Sequence, residues 1–336
     1  MNKVTAQASS DVALVKYWGK KDEVLRLPEN GSVSLILEGL DTITTIEFYT
    51  DGTPSEVRIN GEVDEDEAKR VFKHIDRIKK LAEEKHVLSS TDAQKLTVRV
   101  ASKNTFPKRT GLSSSGSGFA ALTFAAVHAL GLSLTERELS ILARQGSGTA
   151  CRCMCSGIVE WKDGDTSETS YSESLYPPEY WDIRDVVAVV DTGKKRVSST
   201  EGHQSAQSSQ FFKARQEHIQ QKISDLKTAL AAKDFRALGE LVEAEALEFH
   251  SILLTSQPAL IAWYPGTVEV MLAVQDLRAR GVLAYFTINT GFNIHVLTLP
   301  EHEAEVRATL ENLSLVQKTL TAQIGSGPRL TEEQLF

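Results

Sequence analysis

The sequence predicts a chain of mixed α and β elements folded as two lobes, and three observations carry that prediction. Short β-branched runs and stretches with apolar residues three and four apart alternate along the chain, with no internal repeat. At 336 residues the chain exceeds the length at which a single core usually divides. Its character also changes after Asp191, where a polar, serine-rich stretch at 201–215 gives way to helical patterns. The lobe boundary is set near 190, with lobes at 1–190 and 191–336.

In order, 42–49 (TITTIEFY) and 56–59 read as strands separated by the turn DGTPS. The stretch 64–85 reads as a helix, with Val71, Ile75, Ile78 and Leu81 on one face. A strand at 95–101 leads toward an alanine-rich helix at 119–130. A second helix at 135–144 opens on a Thr135/Glu138 capping box and runs into a glycine turn at 146–148. Strands at 156–161 and 186–191 follow, then helices over about 216–249 and 268–279. The last pair of strands, within 284–298, surrounds the turn NTGFN.

Composition narrows the function. Hydrophobic content of 41% and 24% charged residues describe a globular protein. A net charge of −8 argues against a nucleic-acid surface. No apolar run approaches the ~20 residues that span a bilayer, and the N-terminus lacks the apolar stretch of a signal peptide. A cytoplasmic location is expected. Cys151, Cys153 and Cys155 alternate, a spacing that suits neither mutual disulfides nor a zinc site. Reduced, partly buried thiols are expected, and no metal site of the protein's own.

The most informative segment is PKRTGLSSSGSGFAAL, 107–122, with three glycines and four serines between a strand and a helix. Glycine lets backbone N–H groups approach an anion, serine adds hydroxyl donors, and the helix start adds unpaired N–H groups and a positive dipole end. Together they form a cradle for phosphate. Neither G-x-x-x-x-G-K-[ST] nor G-x-G-x-x-G describes it. The plain alternative is a Ser/Gly linker, but a linker should not run straight into an apolar helix.

Four other segments can serve such a cradle, and each also has a plain structural explanation. VKYWGKK, 15–21, concentrates Lys16, Lys20 and Lys21 beside Tyr17 and Trp18, or is a solvated basic turn. GSGTACR, 146–152, leads two hydroxyls to an arginine able to bind carboxylate or phosphate bidentately, or is a simple turn. VSSTEGH, 197–203, offers hydroxyls and His203, which alone reads as a surface or packed histidine. YFTINTGFNIHV, 285–296, reads as a hairpin with Gly291 at its turn.

Taken in order, KYWGK, LPxNxSVS, GLSSSGSGFAAL, GSGxACR and VSS with a downstream TG-x-N turn resemble the GHMP kinase superfamily. Within it they resemble the mevalonate phosphate and diphosphate decarboxylases of isoprenoid synthesis, over about residues 10–300. That resemblance implies an α+β, two-lobed fold with the active-site cleft between lobes. It implies use of ATP with Mg2+ to phosphorylate the 3-hydroxyl of a mevalonate phosphate, followed by loss of phosphate and carbon dioxide. A homodimer is also implied.

Residue roles follow from the same resemblance. Pro107, Gly111, Leu112, Ser113, Ser114, Ser115, Gly116 and Ser117 would surround the triphosphate, with Ser114 also in the reacting set; Ser102 and Asn104 would approach the nucleoside. Arg152 matches a carboxylate-holding arginine and Lys16 a lysine at the reacting end. Tyr17, Lys20, Ser147, Gly148, Thr149, Ser198, Ser199, Thr200 and His203 would bind the rest of the substrate.

Two positions depart from the family pattern. Thr200 stands where many diphosphate-specific members carry arginine, which favours mevalonate 5-phosphate over the 5-diphosphate. Asn289 stands where the family places an aspartate taken to accept the hydroxyl proton, and a neutral amide cannot be a base. Slow turnover is expected. Three explanations stay open: an engineered substitution that traps a complex, an enzyme fed an already 3-phosphorylated substrate, or an enzyme in which positioning suffices. A related small-molecule kinase and a non-catalytic nucleotide-binding protein are the rival functions.

Overall fold

The structure, a computed structural model, describes residues 3–108, 110–193 and 199–336, with the side chains of 199 and 200 left out. In the first half the strands are β1 (Val4–Val15), β2 (Lys20–Asp22), β3 (Leu27–Pro28), β4 (Ser32–Tyr49), β5 (Glu56–Ile59), β6 (Thr97–Asn104), β7 (Ile158–Trp161), β8 (Ser172–Tyr176) and β9 (Arg184–Val189). Their helices are α1 (Glu65–Glu84), α2 (Ser90–Lys95), α3 (Ser114–Ala129) and α4 (Glu136–Gly146), followed by a 3-10 turn, Gly148–Met154. Beyond these come α5 (Ser199–Ser205), α6 (Phe212–Ala232), α7 (Phe235–Thr255), α8 (Pro265–Ala279), β10 (Ala284–Thr287), β11 (Ile294–Thr298), α9 (Pro300–Glu311), β12 (Lys318–Ile324) and β13 (Arg329–Leu330). No helix among the described residues is long and apolar enough to cross a membrane.

One mixed sheet runs β10-β11-β9-β12-β4-β1-β13, and β6 and β7 pair different stretches of the long β4. An 18-residue strand can serve so many neighbours because it bends. Its register against β1 jumps between Ser9↔Asp41 and Ser10↔Leu37, and Gly39 at the jump has φ +103°. That left-handed backbone is open to glycine at little cost. The bend aims the C-terminal end of β1, and therefore Lys16, at the loops above the sheet.

The helix over 64–85 is realised as α1, capped by Asp64, with Val71, Ile75, Ile78 and Ala82 buried. The Thr135/Glu138 capping box is present at α4. Two boundaries differ from expectation. Lys95 ends the short helix α2 rather than opening a strand. More consequentially, α3 starts at Ser114 and absorbs half of the glycine/serine segment. Ala120, Ala121, Ala125 and Ala126 are fully buried, so this helix lies close against the sheet. The three cysteines are free and wholly buried rather than partly so.

The loop before α3 meets the β10–β11 connection backbone to backbone. Gly111 has φ +97°, and a Cβ placed there would lie 2.6 Å from Gly291 Cα. A Cβ on Gly291 would lie 2.3 Å from the Thr110 carbonyl oxygen. Asn293 ties the same loops, donating to Thr110 O at 3.3 Å and Asp191 O at 3.1 Å. Gly291→Ala is therefore expected to destabilise the fold by about 1–3 kcal/mol through overpacking. A thermal melt checks it; an unchanged melting temperature would show that these loops do not hold one another.

Candidate active site

A single cleft of about 670 Å³ collects most of the residues singled out in the sequence. Lys16 and Tyr17 reach it from the turn after β1 and Lys20 from the start of β2. Ser102 and Asn104 come from β6, Gly111 and Ser113–Ser115 from the loop and first turn of α3, and Ser147, Gly148, Thr149 and Arg152 from the turn after α4. His203 enters from α5 and Asn289 from the β10–β11 connection.

Four of the expected residues lie elsewhere. Ser117 is fully buried and its hydroxyl pairs with Thr42 Oγ1 at 2.7 Å. Gly116 faces Ser113, Thr149 and Cys153. Both are helical because α3 begins early, and the helical period turns them from the face bearing Ser114, Ser115, Gly118 and Phe119. The Leu112 side chain is in the core. Pro107 is not among the lining residues. Ser198 lies outside the described residues, as do the side chains of Ser199 and Thr200.

Lys16 is not a solvated turn residue; it is 2% exposed. Its Nζ donates to Ala13 O at 2.5 Å, Thr287 Oγ1 at 2.7 Å and Asn289 Oδ1 at 3.1 Å. None of these partners is a carboxylate. Burial pulls the ammonium from 10.5 to about 7, against the attraction of Glu245 and with repulsion from Arg152. The backbone of Lys16 is gripped from both sides: its N–H donates to Glu245 Oε1 at 2.9 Å and its carbonyl accepts from Arg215 Nη2 at 2.8 Å. Glu245 and Arg215 form a buried bidentate pair at 2.6 and 2.8 Å. Burial alone would raise the Glu245 carboxyl, but Arg215, with Lys222 and the Lys16 N–H, together hold it low.

Asn289 is held on three sides. Besides accepting from Lys16, it donates from Nδ2 to Gly111 O at 3.4 Å, and its carbonyl accepts from His250 Nε2 at 2.9 Å. Since that carbonyl can only accept, Nε2 carries the proton. Burial drives the His250 pKa down to about 4, which keeps the ring neutral. The Tyr17 hydroxyl is buried with no partner among the described residues, and it lies directly against Gly148. An orphaned buried hydroxyl at a cleft wall suits a polar ligand group.

Asp11, on β1, is 1% exposed and joins two of these elements. Arg152 Nε and Nη2 both lie 2.7 Å from its Oδ2, and Arg152 Nη1 donates to Ser32 Oγ at 2.9 Å. Ser113 Oγ donates to Asp11 Oδ1 at 2.6 Å. Ser113 occupies the N-cap of α3 at φ +55° without capping it by its side chain. A left-handed non-glycine residue costs of order 1–3 kcal/mol, and a forgone serine cap about 1 kcal/mol. The surrounding contacts sustain both, and the hydroxyl is aimed at the Asp11 carboxylate.

Asp11, Glu245, Arg215 and His250 escaped the sequence reading. Asp11 had a signal, a carboxylate one residue before the apolar run VALV. The other three sit on long helices where nothing in the spacing marks them. Because Lys16 lacks a carboxylate partner, Asn289→Asp is expected to raise its pKa well above 7. Lysine 13Cε NMR titration reads this directly. A wild-type Lys16 titrating near 10.5 would contradict the burial argument.

A serine-lined helix start, a buried lysine and a buried arginine share one cleft, the arrangement of an enzyme site for phosphate and carboxylate groups. Residues 8–172 match the family described as Diphosphomevalonate decarboxylase-like N-terminal domain, and 185–332 the Mevalonate 5-diphosphate decarboxylase C-terminal domain. The chain is 33% identical to the diphosphomevalonate decarboxylase of Schizosaccharomyces pombe, over 96% of this chain and 86% of that protein. It is 34% identical to the phosphomevalonate decarboxylase of Haloferax volcanii, over 89% of each. The mevalonate diphosphate decarboxylase of Staphylococcus aureus superposes with a TM-score of 0.90 at 31% identity, covering 98% of each chain. MDDEF in complex with MVAPP, AMPPCP and magnesium superposes at 0.89 with 33% identity, covering 98% of this chain and 99% of that one. The chain belongs to the mevalonate phosphate and diphosphate decarboxylase family and is a decarboxylase of that kind.

Proposed function

We propose that this enzyme uses ATP to convert mevalonate 5-phosphate into isopentenyl phosphate, carbon dioxide and inorganic phosphate. The observation that carries the reading is that Arg152, Lys16 and the serine-bearing start of α3 line the same cleft. Gly111, Ser114 and Ser115 bind the triphosphate with N–H and hydroxyl donors, while the Ser113 hydroxyl is given to Asp11, and Ser102 and Asn104 border the nucleoside. The hard hydroxyl oxygens of Ser114, Ser115, Ser147 and Thr149 fit a magnesium ion held mainly by phosphate oxygens. Magnesium, when bound, neutralises charge developing on those oxygens.

The substrate's 3-hydroxyl faces the γ-phosphorus, with Lys16 at the reacting end. Phosphoryl transfer of this kind asks the protein for position and charge rather than covalent help. The C3–O bond then breaks as phosphate leaves, the bond from C2 to the carboxylate breaks as carbon dioxide leaves, and those electrons form the alkene. Arg152 holds that carboxylate, itself fixed by Asp11 and Ser32. Tyr17, Lys20, Ser147, Gly148, Thr149 and His203 contact the remaining groups. Asn289 orients Lys16 and accepts no proton.

Thr200 supports the monophosphate, because a short neutral hydroxyl does not replace the bidentate bonds of an arginine to a diphosphate. Relatives of near-equal identity act on either substrate, so overall similarity does not separate the two. The expected kcat/KM is higher for mevalonate 5-phosphate by roughly tenfold or more, the worth of one lost charge-assisted contact. A preference for the diphosphate would reverse the assignment. Arg152→Gln is expected to cost on the order of 10²-fold in kcat. A change under about threefold in the same assay would remove Arg152 from the reaction.

A further inference from the structure

A tertiary alcohol attacking phosphorus must lose its proton, and the side chain at the family's acceptor position is the amide of Asn289. Lys16 does not take over. Two of its partners, the Ala13 carbonyl and the Asn289 amide oxygen, only accept, and each fixes an N–H. Its remaining position faces the Thr287 hydroxyl, so in either protonation state no lone pair turns to the cleft. His250 is committed through Nε2 to the Asn289 carbonyl. Asp66 and Glu67 line the cleft from α1, on the wall shared with Arg70 and Val71, and Glu201 lines it from α5.

Asp11 is different. It is buried and not itself a lining residue, ion-paired with Arg152, within range of the Lys16 charge, and linked to the lining residue Ser113 by a 2.6 Å hydrogen bond. Cys153 Sγ is its further neighbour at 3.7 Å. Ser113 thus lines the cleft and also meets a carboxylate. It keeps that orientation at φ +55° and without capping its own helix. Such retained backbone strain clusters at working sites.

We propose that Ser113 and Asp11 are the proton relay for phosphoryl transfer in this enzyme, taking the place of the carboxylate absent at 289. The proton of the 3-hydroxyl passes to Ser113 Oγ as the Ser113 proton passes to Asp11 Oδ1. The freed substrate oxygen bonds to the γ-phosphorus, whose bond to the β–γ bridging oxygen breaks, and ADP leaves with that electron pair. The reverse path delivers the proton to the phosphate departing from C3, which restores the Asp11 carboxylate. Arg152 then links the two halves of the reaction, steadying Asp11 during transfer and the substrate carboxylate during elimination.

The inference rests on the decarboxylase reading above, and one set of assays separates their failures. Wild type, Ser113→Ala and Ser113→Gly are assayed for ADP and carbon dioxide with mevalonate 5-phosphate and ATP. Glycine suits the left-handed backbone and protects the fold if alanine does not. Both variants are expected to lose about 10²-fold in kcat with KM for ATP and substrate within about threefold, the usual worth of a proton-transfer group. With a substrate already phosphorylated at O3, the loss is expected to shrink below about threefold, because that substrate bypasses deprotonation. Adding Asn289→Asp to either variant is expected to recover at least about tenfold, by restoring a base on the other side of the hydroxyl. Variants within about threefold of wild type on the hydroxyl substrate, or equally impaired on both substrates, would overturn the relay alone. A wild type that releases no carbon dioxide from either mevalonate 5-phosphate or 5-diphosphate would overturn the decarboxylase reading and the relay with it.

Discussion

The cleft depends on a buried ion pair that does not itself line it but grips the backbone of Lys16, which does. Glu245 of α7 and Arg215 of α6 hold each other bidentately, and between them they hold the N–H and the carbonyl of Lys16. Removing one partner of such a pair typically costs about 3–5 kcal/mol, a cost that Lys222 beside Glu245 and Glu248 beside Arg215 reduce here. Here the loss would also release the backbone that aims Lys16 across the cleft. A lysine drawn down to about pH 7 by burial needs this anchoring, since its own charge contributes little to keeping it inside.

Around that fixed point the remaining groups are coupled through short contacts. Asn289 touches Lys16 and Gly111, and His250 holds its carbonyl, so the β10–β11 connection and the loop before α3 are tied together. Gly111 and Gly291 make this possible by their lack of side chains. Behind the lining residues, buried Asp11 binds both Ser113 and Arg152. Phosphate-binding hydroxyls, the carboxylate-holding arginine and the lysine are therefore positioned by a common set of buried partners. That coupling suits a reaction in which one substrate must meet a phosphate first and lose a carboxylate second.

Much of this was legible in the residues. The capping box at Thr135 and the apolar stripe through Val71, Ile75 and Ile78 are local signals, and local hydrogen bonding and burial realise them. The glycine/serine segment announced a phosphate site because its chemistry is written in consecutive residues. What spacing could not give was where helix replaced loop: serine and glycine are weak helix formers, and tertiary packing of the alanine face carried α3 back to Ser114. The long-range partners were hidden for the same reason. Asp11 lies 102 positions from Ser113 and Glu245 lies 229 from Lys16, and only the bent sheet and the helical hairpin bring them together. Lys16 in turn read as a solvated turn residue because its burial comes from α7 and the β10–β11 connection, far along the chain.

The central claim is that the tertiary oxygen of the substrate becomes bonded to phosphorus before the carboxylate departs. The most direct measurement uses mevalonate 5-phosphate carrying 18O in its 3-hydroxyl, with ATP, and mass analysis of the released phosphate. The account predicts that the label leaves in inorganic phosphate, in step with carbon dioxide. Label appearing in water, with unlabelled phosphate, would contradict it.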